Sequence, residues 1–129
     1  MDLKDKKQKE KRRLFRSFSY AFLGIKHTIQ IEKNMRIHLL ASFIVLILMI
    51  FLPLKKVEIA ILCMVIGMVF ALEMVNTAIE NVVDLVTKEY RPLAKIAKDV
   101  AAGAVLIFVL FAVIIGVLIL GPPVVSLFF

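Results

Sequence analysis

The sequence predicts an all-α membrane protein: an amino-terminal amphipathic helix in the interface, then three transmembrane helices. Three observations lead there. The chain has 129 residues, enough for a single domain, and 61% of them are hydrophobic, with a mean hydropathy of +0.93. Long apolar runs recur three times, and the charge-free runs Leu39–Leu54 and Val100–Leu120 approach the roughly 20 residues that a bilayer requires. Eleven of the seventeen Lys and Arg residues lie in 1–36, beside the first run, as a cytoplasmic anchor against anionic lipid does. That distribution argues against a nucleic-acid surface as the source of the +7 net charge.

Residues 1–13 form a Lys-rich basic tail, expected to fray. From 14 to 31, Leu14, Phe15, Phe18, Phe22, Ile25 and Ile29 recur at helical spacing, with Arg12, Arg13, Arg16 and Lys26 among them. This pattern fits a helix in the headgroup plane, and a soluble helix packed on a core is the alternative. Span 1 is expected over 36–54, drawing Ile37 and His38 into the helix. Pro53, Lys55, Lys56 and Glu58 make the turn on the far side. Span 2, 57–86, would reach about 45 Å against a hydrocarbon core of about 30 Å, so its second half emerges into the cytoplasmic interface. Residues 87–99 form a polar cytoplasmic loop in which Pro92 begins the next helical turn. Span 3 covers 100–120, where Ala101, Ala102, Gly103 and Ala104 offer a close helix–helix contact. Gly121-Pro122-Pro123 is expected to end it, leaving the tail Val124–Phe129. The amino end lacks a signal peptide's short basic segment and cleavage pattern. The lone cysteine, Cys63, excludes an intrachain disulfide framework and reads as an inert packing residue.

Glu73, Asn76, Thr77, Glu80 and Asp84 fall at i, i+3, i+4, i+7 and i+11, which places them on one face of span 2. Acidic residues in a span are costly, and they persist where they face a wet cavity, a cation or a partner. With the amino end inside, Glu32, this stripe and the Lys98-Asp99 pair gather at the cytoplasmic face. Carboxylates beside Arg13, Arg16, Arg91, Lys95 and Lys98 suit a magnesium nucleotide: oxygen donors for the hard cation, bases for phosphate. A further carboxylate can accept the proton of an attacking hydroxyl. No P-loop, kinase Gly-rich loop or D-F-G segment is present, and His27 and His38 lack companions at ligand spacing. Two other readings stay open on spacing alone. The stripe can be interhelical hydrogen bonding that sets an oligomer, or part of an ion or proton pathway. Against a pathway, spans 1 and 3 carry no ionisable residue in their outer halves.

The segment Glu73-Met74-Val75-Asn76-Thr77-Ala78-Ile79-Glu80-Asn81-Val82-Val83-Asp84 resembles the E-x-x-N-[ST]-[SA]-I-E-x-x-V-D signature of the prokaryotic diacylglycerol kinase family. Glu32 upstream and Ala94-Lys95-Ile96-Ala97-Lys98-Asp99 before the last span match as well. The resemblance implies an integral-membrane kinase that moves the ATP γ-phosphoryl group to a lipid hydroxyl, in a homotrimer with active sites shared between subunits. It implies Glu73 as general base, Glu32 and Glu80 as Mg2+ ligands, and Asn76 as support. Arg13, Tyr20, Glu32, Glu80, Glu89, Arg91, Lys98 and Asp99 would bind nucleotide. Asp84 belongs to the motif with either a structural or a catalytic role. The absence of Trp and the segment Glu32–His38 resemble the Gram-positive branch, whose substrate is undecaprenol; diacylglycerol is the alternative substrate. The expected location is the bacterial cell membrane, with the amino terminus and active site cytoplasmic.

Overall fold

The computed structural model describes residues 3–128, with the side chains of 6–127. Residues 1 and 2 of the expected basic tail and Phe129 of the expected carboxyl tail lie outside the described residues. Four helices follow one another: α1 (Leu3–Ile31), α2 (Lys33–Phe51), α3 (Lys56–Val86) and α4 (Pro92–Phe128). There is no strand among the described residues. The last three helices are long and apolar enough to cross a membrane. The chain is an all-α membrane protein, with a helix preceding the three candidate spans.

Two compact units divide at Lys33 and Asn34. The first is α1. The basic stretch expected to fray is helical from Leu3 onward. Its Lys, Glu, Gln and Arg residues are good helix formers, and Lys6 and Glu10 stand four apart, where opposite charges support a helix. Along this helix the aromatic side chains Phe15, Phe18 and Phe22 are exposed, so the helix presents an uncovered apolar surface. Its last turn closes with the Glu32 N–H donating to the Thr28 carbonyl at 2.8 Å.

The second unit holds α2, α3 and α4. A chain in lipid must satisfy its backbone polar groups internally, so the spans are continuous helices with short joins. Pro53 cannot continue α2. The turn closes with the Leu54 N–H donating to the Leu52 carbonyl at 2.8 Å. Glu58 caps the start of α3 by accepting from the Lys55 N–H at 2.7 Å. At the other end, the extended Thr87 stops α3, and its Oγ1 accepts from the Glu89 N–H at 3.2 Å. Pro92 then opens α4, where a missing N–H costs nothing.

α3 and α4 are the pair that packs along its length. Leu62, Val65 and Val69 of α3 and Ala101 and Val105 of α4 are the buried apolar residues of these two helices. The close contact expected at Gly103 is not made by that residue: a Cβ placed there meets nothing within 4 Å. Ala101 and Val105, four apart, are the buried positions instead, because the rotation of α4 turns Gly103 off that face. Cys63 is exposed along α3 rather than packed.

Helix α4 also runs past Gly121-Pro122-Pro123 to Phe128, where the sequence was expected to stop it. Proline fixes φ near the helical value, and although each ring removes an N–H bond and crowds the carbonyl four residues back, the two prolines weaken the turn here without forcing an exit. Beyond them the Ser126 hydroxyl donates to the Pro123 carbonyl at 2.9 Å.

Candidate active site

One face of α3 changes character along its length. From Leu62 through Val65 to Val69 it is apolar and buried; one turn on, it becomes Glu73, Asn76 and Thr77, at 1%, 6% and 3% exposure. Glu80 is half-buried and Asp84 exposed. The stripe therefore grades from dry to wet, because α3 is longer than the contact that covers it. Thr77 is back-bonded, its Oγ1 donating to the Glu73 carbonyl at 3.0 Å. Such a bond satisfies a buried hydroxyl without a second element. Asn76 donates through Nδ2 to Glu80 Oε1 at 3.1 Å, while its Oδ1 is buried with no hydrogen-bond partner among the described residues. Nδ2 and Oδ1 are assigned by this bonding pattern, since a carboxylate accepts only.

Glu73 and Asn76 line a cavity of about 200 Å³ whose other walls are Asn34, Ile37 and His38 of α2 and Ala102, Val105, Leu106 and Val109 of α4. Asn34 and His38 escaped the sequence reading. In the sequence they stood only within the segment Glu32–His38 that leads into span 1. Their i, i+4 spacing was the available signal that both share a face.

Farther along, Lys98 of α4 pairs with Asp84 of α3 at 2.6 Å. That cross-helix pair gives Asp84 a structural partner. Lys95 pairs with Asp99 one turn apart, and Arg91 lies 3.9 Å from Glu89 in the connection. Five of the residues singled out for nucleotide or support thus pair among themselves or with Lys95, on the exposed end of the α3–α4 hairpin. Glu32, Arg13 and Tyr20 belong to the first unit. There Glu32 is half-buried at the end of α1, and Tyr20 is exposed at 68%. Arg13 stands with Lys6, Lys9, Arg12 and Arg16 on a basic face of α1.

Among the described residues, no three His, Cys, Asp or Glu side chains converge as a ready metal site. The α3 face can nonetheless offer a cation the Glu80 carboxylate and the Asn76 amide oxygen. Magnesium is commonly held by one or two carboxylates, with substrate phosphates and water completing its octahedron.

A sequence model of the prokaryotic diacylglycerol kinase family matches residues 19–120. The chain is 46% identical over 122 residues to an undecaprenol kinase from Bacillus subtilis (strain 168), covering 95% of this chain and 98% of that one. It is 44% identical over 112 residues to a diacylglycerol kinase from Synechocystis, covering 86% of this chain and 64% of that longer one. Against the diacylglycerol kinase of Escherichia coli (strain K12) the identity is 29% over 102 residues, covering 79% and 84%.

Proposed function

The chain belongs to the prokaryotic diacylglycerol kinase family, and from that premise we propose that it transfers the ATP γ-phosphoryl group to the hydroxyl of undecaprenol at the cytoplasmic side of a bacterial membrane. The observation that carries the reading is the graded face of α3, with Glu73 enclosed beside a cavity and Glu80 one step nearer the wet end. A lipid alcohol and a nucleotide live in different solvents. A kinase for the pair needs a row of oxygen donors that spans the boundary between them.

In this mechanism the Glu73 carboxylate takes the proton of the lipid hydroxyl as its oxygen attacks the γ-phosphorus. The bond from that phosphorus to the β,γ-bridging oxygen breaks, and ADP leaves with the electron pair. Asn76 holds Glu80 in orientation through its amide N–H. Glu80 and the Asn76 oxygen are the donors on α3 that suit Mg2+, and the family resemblance adds Glu32. When bound, the ion withdraws charge from the β- and γ-phosphates. Lys98 and Arg91 neutralise phosphate oxygens, and Asp99, Glu89, Arg13 and Tyr20 complete nucleotide recognition. Asp84 keeps Lys98 extended along the hairpin until a phosphate competes for it. Three copies assemble with sites shared between neighbours, the amino terminus inside.

Diacylglycerol is the second substrate reading, favoured by the names of several of the similar proteins. Labelled phosphoryl transfer by purified protein in mixed micelles decides between them. Undecaprenol labelled well above diacylglycerol supports the proposal, and the reverse preference replaces the substrate while keeping the chemistry. No transfer to either, with magnesium present and the protein folded, would return the stripe to a packing role.

A further inference from the structure

A second and larger cavity, of about 440 Å³, lies between the same three helices. It contains the segments of each helix that follow the Glu73 cavity in one direction. On α2 the small cavity is lined by residues 34–38 and the large one by 38–45. On α3 the lining passes from 76 and 73 to 69–62, and on α4 from 102–109 to 109–124. The two are therefore stacked end to end, and they meet at His38 and Val109, which line both. The walls of the larger cavity are apolar apart from His38 and Ser42. Along α4 it extends about 22 Å, at 1.5 Å per residue.

We propose that the two cavities form one substrate channel within a single subunit. The lipid hydroxyl sits beside Glu73, and one hydrocarbon chain is threaded away from it between α2, α3 and α4. His38, at the junction, contacts the hydroxyl-bearing carbon and sets how deep the chain enters. This rests on the lipid-kinase reading of the Glu73 cavity and adds where the chain goes. A polar pocket continuous with a long apolar slot matches a molecule with one polar end and one apolar chain. Between these helices the slot gives one apolar path away from Glu73, so a one-chain alcohol places its proximal segment inside. A two-chain lipid must leave one chain outside, and a long chain leaves the slot at its far end into the bilayer.

Two positions allow the slot to be filled without disturbing the fold. Gly116 and Gly121 line it, and a Cβ at either meets nothing within 4 Å. Phosphoryl transfer by the full chain is compared for wild type, Gly116→Phe and Gly121→Phe, using a long polyprenol and a short soluble prenol. Oligomeric state in detergent is followed in parallel. Blocking the slot should raise the KM for the long alcohol about ten-fold or more, while turnover of the short one and the KM for ATP hold. His38→Ala should lower kcat for both alcohols, and His38→Gln should recover part of the loss. Equal kinetics for all variants on the long alcohol overturns the channel and leaves the kinase reading standing, because wild type still turns over. Variants that dissociate the assembly, with an unchanged lipid KM, would assign the slot to a neighbouring copy and overturn it too. An inactive wild type instead removes the reading on which the channel rests.

Discussion

Glu73 occupies the costliest place a carboxylate can have in this chain, enclosed on α3 at 1% exposure. General-base catalysis contributes about 10²–10⁴-fold, so Glu73→Gln should lower kcat by that order while MgATP binding persists. Parallel circular dichroism and thermal melts check that the variant folds; a loss of helix rather than of turnover would make Glu73 a packing residue. The Asp84–Lys98 pair is a different matter. Both side chains are partly solvated, at 57% and 35% exposure, so their coupling should be about 0.2–1 kcal/mol in a double-mutant cycle read by thermal unfolding. Lys98→Ala should raise the KM for ATP more than Asp84→Asn does, since the proposed mechanism puts only Lys98 on phosphate. Steady-state kinetics at saturating lipid measures that difference. At this scale the sequence was largely readable: a 3.6-residue period put Glu73, Asn76 and Glu80 on one face, and the burial gradient follows from it. Asn34 and His38 were not readable, because membership of a cavity depends on the facing helix.

Helix α4 shows where element-level inference succeeds and where it stops. Its start at Pro92 follows from proline chemistry. Its continuation through Pro122 and Pro123 does not, because proline disfavours a helix only by comparison with other available conformations. Near a membrane surface or inside a bilayer, those alternatives expose backbone groups as well. The Ala101–Ala104 segment offered small residues on every face, and the sequence holds no record of how α4 is rotated. The structure places Ala101 inward and leaves open space at Gly103. Gly103→Ala should therefore stabilise by about 0.5–1 kcal/mol through helix propensity, whereas Ala101→Leu should destabilise by about 1–3 kcal/mol through overpacking. Denaturation in detergent reads both. A destabilising Gly103→Ala would mean that another copy of the chain packs on that glycine. The basic amino-terminal stretch carries the converse lesson: charge suggested fraying, but its residues are individually strong helix formers.

For the whole molecule, the three apolar helices and their order were legible because each run is long and the breaks carry Pro or charge. Which helices pack, and how far α2 stands from the other two, was not, since apolar faces alone do not choose partners in a membrane. The proposed homotrimer with shared sites makes a sharp demand on mixed assemblies. Glu73→Gln, lowered in kcat, and Lys98→Ala, weakened for ATP, should at limiting ATP recover a measurable fraction of turnover when co-expressed, because some mixed sites then receive both intact residues. Activity that stays at the level of the separate variants would place Glu73 and Lys98 of a site on one chain.

The enclosure of Glu73 also bears on how the protein enters a membrane. Synthesis runs from the amino end, so α3 is made before α4, whose Ala102 and Val105 share the cavity with Glu73. Until α4 arrives, Glu73 stands uncovered on α3 near the level where that helix leaves the hydrocarbon core, at a penalty below the roughly 2.5–3.5 kcal/mol that the insertion scale gives Asp at mid-span. The charge-free run Val100–Leu120 comes immediately behind, joined through the short connection 87–91. A ribosome-bound chain halted before Val100 should hold α3 poorly, and one extended through Leu120 should lock it in. The enclosed carboxylate thereby makes the last two helices a single unit of biogenesis: neither the cavity beside Glu73 nor the protein's topology is complete until the hairpin goes in as one.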